Sequence, residues 1–269
     1  MTVRGLICPV CGEALSETET GLVCPRRHGF DRARQGYVNL LRGGRPGGGD
    51  SREMARARRA FLEKGYYAPL VEAVGDQLAL CLSPGATVLD VCCGEGWYTA
   101  ELSRRFPEAT FCGFDLSKEM VRLAAARRCG AFFFTANVSA VPMASGSADT
   151  AVHLFAPFHG AELSRLLAPG GTLISVLPGR DHLMGLKQVL YDRPVPNDEA
   201  EPDPGALTVV RRVRVRTDAV IRGREDVGAL LAMTPYAWRT PRAGKERLAL
   251  RDELSTPLDF VLLVMKKEN

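Results

Sequence analysis

From about residue 86 to residue 177, two hydropathy patterns take turns along the chain. Short continuous apolar runs at 86–90, 110–114, 131–136, 148–154 and 171–177 predict buried strands. Between them, 97–106, 117–129 and 159–168 carry apolar residues at helical spacing and predict helices. Strands alternating with helices predict a parallel sheet with helices on both faces, whose ligand lies across the carboxyl ends of the strands. Upstream, Leu70, Val71, Val74 and Leu78 give 69–83 an amphipathic helical pattern that stops at Ser83-Pro84-Gly85. Before that, Met54, Arg58, Phe61 and Leu62 recur on successive turns of a helix that Asp50 or Ser51 is placed to cap. Downstream, Val209 to Arg216 alternates, with Arg212, Arg214 and Arg216 on one strand face and Val213 and Val215 on the other. A short helix precedes Met233, and the apolar run 258–265 predicts a terminal antiparallel strand.

Two stretches break these patterns. Residues 43–50 hold five glycines and a proline, the composition of a flexible loop at a domain boundary. Residues 192–206 hold four prolines and five acids and read as a loop over or beside the ligand site. The resulting division is a module at 1–42, a hinge and basic linker helix at 43–68, and the α/β domain at 69–269.

Composition narrows the class. With 46% hydrophobic and 25% charged residues, the 269-residue chain has an ordinary globular balance. No apolar run approaches the ~20 residues of a membrane span, and no basic start followed by an apolar core marks a secretory signal. A cytoplasmic protein is expected, and reduced thiols suit the scattering of most of the eight cysteines. The net charge of +4 says little about partners, but its distribution says more. From Arg42 to Lys64 there are seven basic residues against three acidic ones, beside the glycines and near Phe61, Tyr66 and Tyr67. A phosphate backbone would attract such a segment, although a solvated helix face has the same composition. The arginine stripe at 212–216 reads equally as an RNA contact or as protection of an edge strand.

Three groups of residues carry chemistry. Cys8-Pro-Val-Cys11 and Cys24-Pro-Arg-Arg-His28 offer four soft or borderline ligands at a spacing that closes a tetrahedral Zn²⁺ site. Four protein ligands leave no open position, so the site reads as structural, and the metal would supply folding energy that so short a module lacks. The second group is Val88 to Trp97, a strand entering a glycine turn with a helix behind it, which makes a nucleoside site. Asp115, ending the next strand, is placed to accept hydrogen bonds from both ribose hydroxyls. Asp90 lies before the turn, with Gly94 and Gly96 after it, so this is not G-x-G-x-x-G. It resembles the S-adenosylmethionine turn D/E-x-G-x-G-x-G of class I methyltransferases, with Cys92 at the first glycine. The Cβ of Cys92 implies that this position does not need positive φ. Third, Asn137 follows the third strand, where it reaches an adenine edge or caps its own turn. His182 stands at the ligand end of the sheet, toward cofactor or substrate base, or as a cap.

Several stretches coincide in one family. They are the two knuckles, Gln35-Gly36-Tyr37-Val38-Asn39-Leu40-Leu41, Arg58-Arg59-Ala60-Phe61-Leu62, Gly65-Tyr66-Tyr67-Ala68-Pro69-Leu70, the Asp90–Gly96 turn, Phe155-Ala156-Pro157, His182-Leu183-Met184 and Met233-Thr234-Pro235-Tyr236-Ala237-Trp238-Arg239. Together they resemble the RlmA-type guanine-N1 methyltransferases of 23S ribosomal RNA. The resemblance implies a class I (Rossmann-like) S-adenosylmethionine-dependent domain with an N-terminal zinc module for RNA recognition. It also implies a homodimer whose cleft admits an RNA hairpin. Tyr67, the turn from Cys93 through Gly94 to Glu95, and His182 would touch the cofactor. Asp192, His153, His159 and His182 all remain open as the base that accepts the N1 proton, and Tyr66, Tyr191 and Trp238 as an aromatic platform. Two other readings stay in view: a small-molecule methyltransferase, and a zinc-dependent RNA-binding protein with a decayed cofactor turn.

Overall fold

The computed structural model describes residues 5–42 and 51–268, so the glycine-rich loop expected at 43–50 lies outside the described residues. Strands β1 (Ser16–Glu17), β2 (Gly21–Val23) and β3 (Gly29–Asp31) form a small antiparallel sheet that frames the two knuckles. Then come β4 (Val38–Asn39), α1 (Arg52–Leu62) and α2 (Ala68–Ala79). The alternating region gives β5 (Thr87–Val91), α3 (Trp97–Arg105), β6 (Thr110–Asp115), α4 (Lys118–Ala126), β7 (Phe132–Thr135), β8 (Ala148–Leu154), α5 (Gly160–Leu166), β9 (Leu167–Pro178) and α6 (Met184–Leu190). The chain ends with β10 (Leu207–Arg222), α7 (Arg224–Ala232), α8 (Tyr236–Arg239), α9 (Arg242–Ala249) and β11 (Glu253–Lys267).

Eight strands make the main sheet in the order β10-β11-β9-β8-β5-β6-β7-β4. The pairs from β9 to β4 are parallel, while β11 runs antiparallel to both neighbours, as expected for the terminal strand. Every residue of β5 and β7 is buried, because both faces of these strands are covered: in β7, Phe133 packs under α4, while Phe132 and Phe134 face the N-terminal residues, so no solvent side is left for polar residues. The strand order reverses at β5, where β6 and β8 flank it on opposite sides, and that is where such sheets open a ligand crevice.

Several boundaries differ from the hydropathy reading: α2 ends at Ala79 and α4 at Ala126, short of 83 and 129, and β11 runs past 258–265 at both ends. Helix α5 stops at Leu166 and β9 begins at Leu167, earlier than expected. Pro169 cannot continue a helix, and Leu167 pairs with Ala148 across a register shift. The expected linker helix is also more than a linker. Ser51 caps it, its Oγ accepting from the Met54 N–H at 3.1 Å. Met54, Ala55, Phe61 and Leu62 are buried, and Phe61 and Leu62 join the same apolar cluster as Leu70, Ile174 and Leu262. The N-terminal residues likewise share a core with the main sheet. Leu6, Cys8, Leu15, Leu22 and Cys24 pack in one cluster with Val91, Phe134, Met143 and Leu167. Val38 of β4 pairs with Phe134 at the sheet's edge.

β10 is the opposite edge strand, and its arginines are occupied. Arg212 pairs with Glu201, Arg214 with Asp259 at 2.7 Å and Glu199 at 3.2 Å, and Arg216 with Asp181 at 2.9 Å.

Candidate functional site

The knuckle residues converge. One ligand atom each from Cys8, Cys11, Cys24 and His28 lies within 4.8 Å of the other three. The closest separations are 3.4 Å and 3.5 Å from His28 Nδ1 to the Cys24 and Cys8 sulfurs, and 3.6 Å between Cys11 and Cys24. A tetrahedral zinc with ordinary Zn–S and Zn–N bonds needs ligand separations of about 3.5–3.8 Å, so these residues fit the ion. The backbone N–H groups of Val10 and His28 each donate to a cysteine sulfur at 3.4 Å, which favours thiolates. Burial pushes the Cys24 thiol up, but the His28 N–H and the neighbouring thiols outweigh it and bring it down to about 7.

The second site forms where β5 turns into α3. Cys92 has φ +55°, which corrects the expectation that a residue with a Cβ excludes positive φ here. The turn needs the left-handed conformation, and a small side chain tolerates it at a cost rather than forbidding it. Gly94 and Gly96 follow at +57° and +79°. Gly96 must be glycine, because a Cβ there would lie 2.7 Å from that of Ala124 on α4. Among the described residues, a Cβ added at Gly94 would meet only Arg58 Nη1, at 3.4 Å. Asp115 braces the turn, its Oδ2 accepting from the Gly94 N–H at 3.0 Å and its Oδ1 from Ser117 at 2.8 Å.

Below the turn, Asp90 is buried and accepts a short hydrogen bond from the Thr99 hydroxyl. Burial, with nearby Asp115 adding to it, pushes this carboxyl up to about 7 against the lowering effect of Thr99. Cys93 is buried, with its sulfur close to Gly113, whose missing side chain makes room for it. Glu95 is buried, and Arg127 clamps its Oε2 while its Oε1 is the single buried side-chain oxygen without a partner among the described residues. A glycine cradle facing a guanidinium, a ribose-height carboxylate and an orphaned carboxylate oxygen fit a cofactor that carries an amino acid head and a nucleoside tail.

Tyr67 and His182 meet beside this crevice, with Oη to Nε2 at 3.2 Å. The Asp259 N–H donates to His182 Nδ1 at 3.3 Å, so the ring proton resides on Nε2 and points at Tyr67. Burial holds His182 neutral, its pKa down at about 3. The 192–206 loop reaches here too, since Asn197 Nδ2 donates to the carbonyls of Gly179 and His182. Asn137 is exposed, and its Oδ1 accepts from the Ser139 N–H and hydroxyl, closing its own turn.

Among the candidate bases, His153 is enclosed between Ser175 and the Pro157 carbonyl, and burial lowers its pKa. Asp192 is exposed and faces Arg247 at 3.1 Å. Among the candidate platforms, the Tyr66 hydroxyl is tied to Asp226 and that of Tyr191 to Thr240, while Trp238 is exposed. Arg127, Asn197 and Asp259 were not identified from sequence as parts of this site. Each acts across a long sequence separation, and no local pattern marks a partner that far away.

Comparison with known proteins adds the following. The model described as RlmA, N-terminal, a zinc ribbon, matches residues 6–42, and that of a methyltransferase domain matches 88–171. The 23S rRNA (guanine(748)-N(1))-methyltransferase of Streptomyces fradiae is 36% identical over 243 residues, covering 88% of this chain and 86% of the relative. A Micromonospora griseorubida protein, provisionally named 23S rRNA (guanine-N(1)-)-methyltransferase, is 34% identical over 263 residues and covers 88% of each chain. Among solved structures, the YcgJ protein of Bacillus subtilis superposes with a TM-score of 0.49 at 16% identity, over 74% of this chain and 99% of that one.

Proposed function

We infer, from the premise that this chain belongs to the family of 23S rRNA (guanine-N1)-methyltransferases, that it methylates N1 of a guanine in a hairpin loop of large-subunit ribosomal RNA. The observation that carries this reading is its span: the likeness runs through both the zinc ribbon and the cofactor turn. A small-molecule methyltransferase would account for the turn but leave the ribbon without a role. A non-enzymatic RNA-binding protein would leave the braced turn without one.

The proposed division is a zinc-binding RNA-recognition module at 1–42, a hinge and basic helix at 43–68, and the methyltransferase domain at 69–269. Tyr67, Asp90, Cys93, Gly94, Glu95, Gly96, Asp115, Asn137 and His182 would hold S-adenosylmethionine, while Cys8, Cys11, Cys24 and His28 would hold Zn²⁺. When bound, the cofactor supplies a methyl group already activated by its sulfonium. Catalysis then rests on alignment with the attacking nitrogen. Guanine N1 carries a proton on its pairing edge, so the base must be unpaired or extruded to reach the crevice. Because His153 and His182 are buried and committed to their partners, the acceptor of that proton is sought in His159 or Asp192. The working form is a cytoplasmic homodimer, and among the described residues no helix is long and apolar enough to cross a membrane.

The test is transfer of labelled methyl from S-adenosylmethionine to ribosomal RNA lacking the modification, followed by reverse transcription. N1-methylguanine blocks pairing, so a single new stop in a large-subunit hairpin loop is the expected result. Zinc-loaded protein that binds the cofactor yet labels only small molecules would refute it.

A further inference from the structure

Phe155 is a large apolar side chain in an unexpected place. It follows the last residue of β8 and is 41% exposed, whereas the four residues before it are buried. Its backbone lies in the left-handed region, at φ +57°. For an aromatic residue that conformation is strained, and such strain persists only where the surroundings impose it. The surroundings here are identifiable. The Phe155 N–H donates to the Val176 carbonyl at 3.1 Å, holding the backbone to the end of β9.

The position is equally defined. His153, two residues earlier, pairs with Val91, the last residue of β5, so Phe155 emerges level with Cys93 in the cofactor turn. Its ring lies 6.2 Å from that of His182 at an interplanar angle of 13°, and 5.8 Å from that of Phe260. His182 in turn contacts Tyr67, and Phe260 packs on both. An aromatic floor therefore runs from beneath α1 to the carboxyl end of β8 and surfaces at Phe155. An extended backbone at this residue would redirect the Cβ and remove the ring from that floor.

We propose that Phe155 is the stacking platform for the extruded purine, with its left-handed backbone aiming the ring beside the cofactor turn. This rests on the functional reading above and assigns the base-binding surface within it. A flat aromatic face recognises any unpaired base by stacking and leaves the pairing edge free to face the methyl donor.

The test uses the full zinc-loaded chain and two variants, Phe155→Leu, which keeps apolar bulk without a ring, and Phe155→Tyr, which keeps the ring. Thermal melting confirms that both are folded. The probe is the hairpin in which methyl transfer maps, carrying either guanine or an abasic site at the target. The unaltered chain is expected to bind the guanine form roughly tenfold to hundredfold more tightly than the abasic form. Phe155→Leu should lose most of that preference and raise KM for the RNA, Phe155→Tyr should keep it, and cofactor affinity by calorimetry should stay the same in both. If Phe155→Leu keeps the preference, or loses cofactor affinity in the same proportion, the assignment is overturned. If the unaltered chain transfers no methyl to RNA, the functional reading falls and the assignment falls with it.

Discussion

Asp90 and His182 sit near the same crevice and respond to pH in opposite directions. Asp90 has its pKa raised from 3.8 to about 7, so the native state prefers it protonated. Its contribution to stability is full below pH 3.8 and is lost as pH rises through 7. His182 has its pKa lowered from 6.5 to about 3, so the native state prefers it neutral. Its contribution is present above pH 6.5 and is lost as pH falls toward 3. Between about pH 4 and 6.5 the two slopes, each at most about 1.4 kcal/mol per pH unit, oppose each other. Asp90→Asn removes one of them, so that variant should lose stability toward acid more steeply than the unaltered chain. Urea midpoints at three pH values across this window check it, and parallel curves for the two proteins would show the compensation to be absent. Such couplings are invisible in sequence, where Asp90 reads only as the acid before a glycine turn. Cys92 is a similar case. Its identity argued against positive φ, but the turn's geometry is set by Gly94 and Gly96 and by the Asp115 brace, and the cysteine conforms to it.

At the level of elements, the strands and helices of the alternating region were largely legible because period and burial coincide there. The role of β10 was not. Alternating arginine and valine marked a strand, and its arginines stayed open between RNA and edge protection. The structure commits Arg212, Arg214 and Arg216 to carboxylates, two of which, Glu199 and Glu201, come from the proline-rich loop. These pairs differ in worth. Asp259 is buried and receives two guanidinium hydrogen bonds from Arg214, while its backbone N–H fixes the His182 tautomer. Arg214→Ala should therefore cost about 1–3 kcal/mol by removing both guanidinium donors from a buried carboxylate that keeps the Asp181 N–H, and should weaken cofactor binding as the 179–183 loop loosens. Arg212→Ala at an exposed pair should cost under about 1 kcal/mol. Urea denaturation of both variants, with calorimetry of the cofactor, separates them; equal effects would mean that the buried pair has no special role. The long-range partners escaped sequence reading because a side chain's identity does not report which distant strand will lie beside it.

For the molecule as a whole, the metal cluster and the main sheet share a core. Leu6, Leu15 and Leu22 frame the ligands on one side and pack with Phe134 and Met143 on the other. Stripping the metal should therefore lower the melting temperature of the entire chain rather than melt a detached module. At about 2–4 °C per kcal/mol for a chain of this class, the loss of a few kcal/mol moves Tm by roughly 10 °C. Calorimetric scans with and without chelator check this, and an unchanged main transition beside a small early one would contradict it. The two residues of β4 carry a consequence for biosynthesis. They precede α1 in the chain, yet they close the far edge of the sheet against β7, while the opposite edge waits for the last fifteen or so residues to form β11. On a translating ribosome the knuckles can take up zinc as soon as His28 has emerged. Their docking surface does not exist until Phe134 and Met143 follow, more than a hundred residues later. A nascent chain thus carries a metal-binding head on an unfinished body for several seconds at ordinary elongation rates.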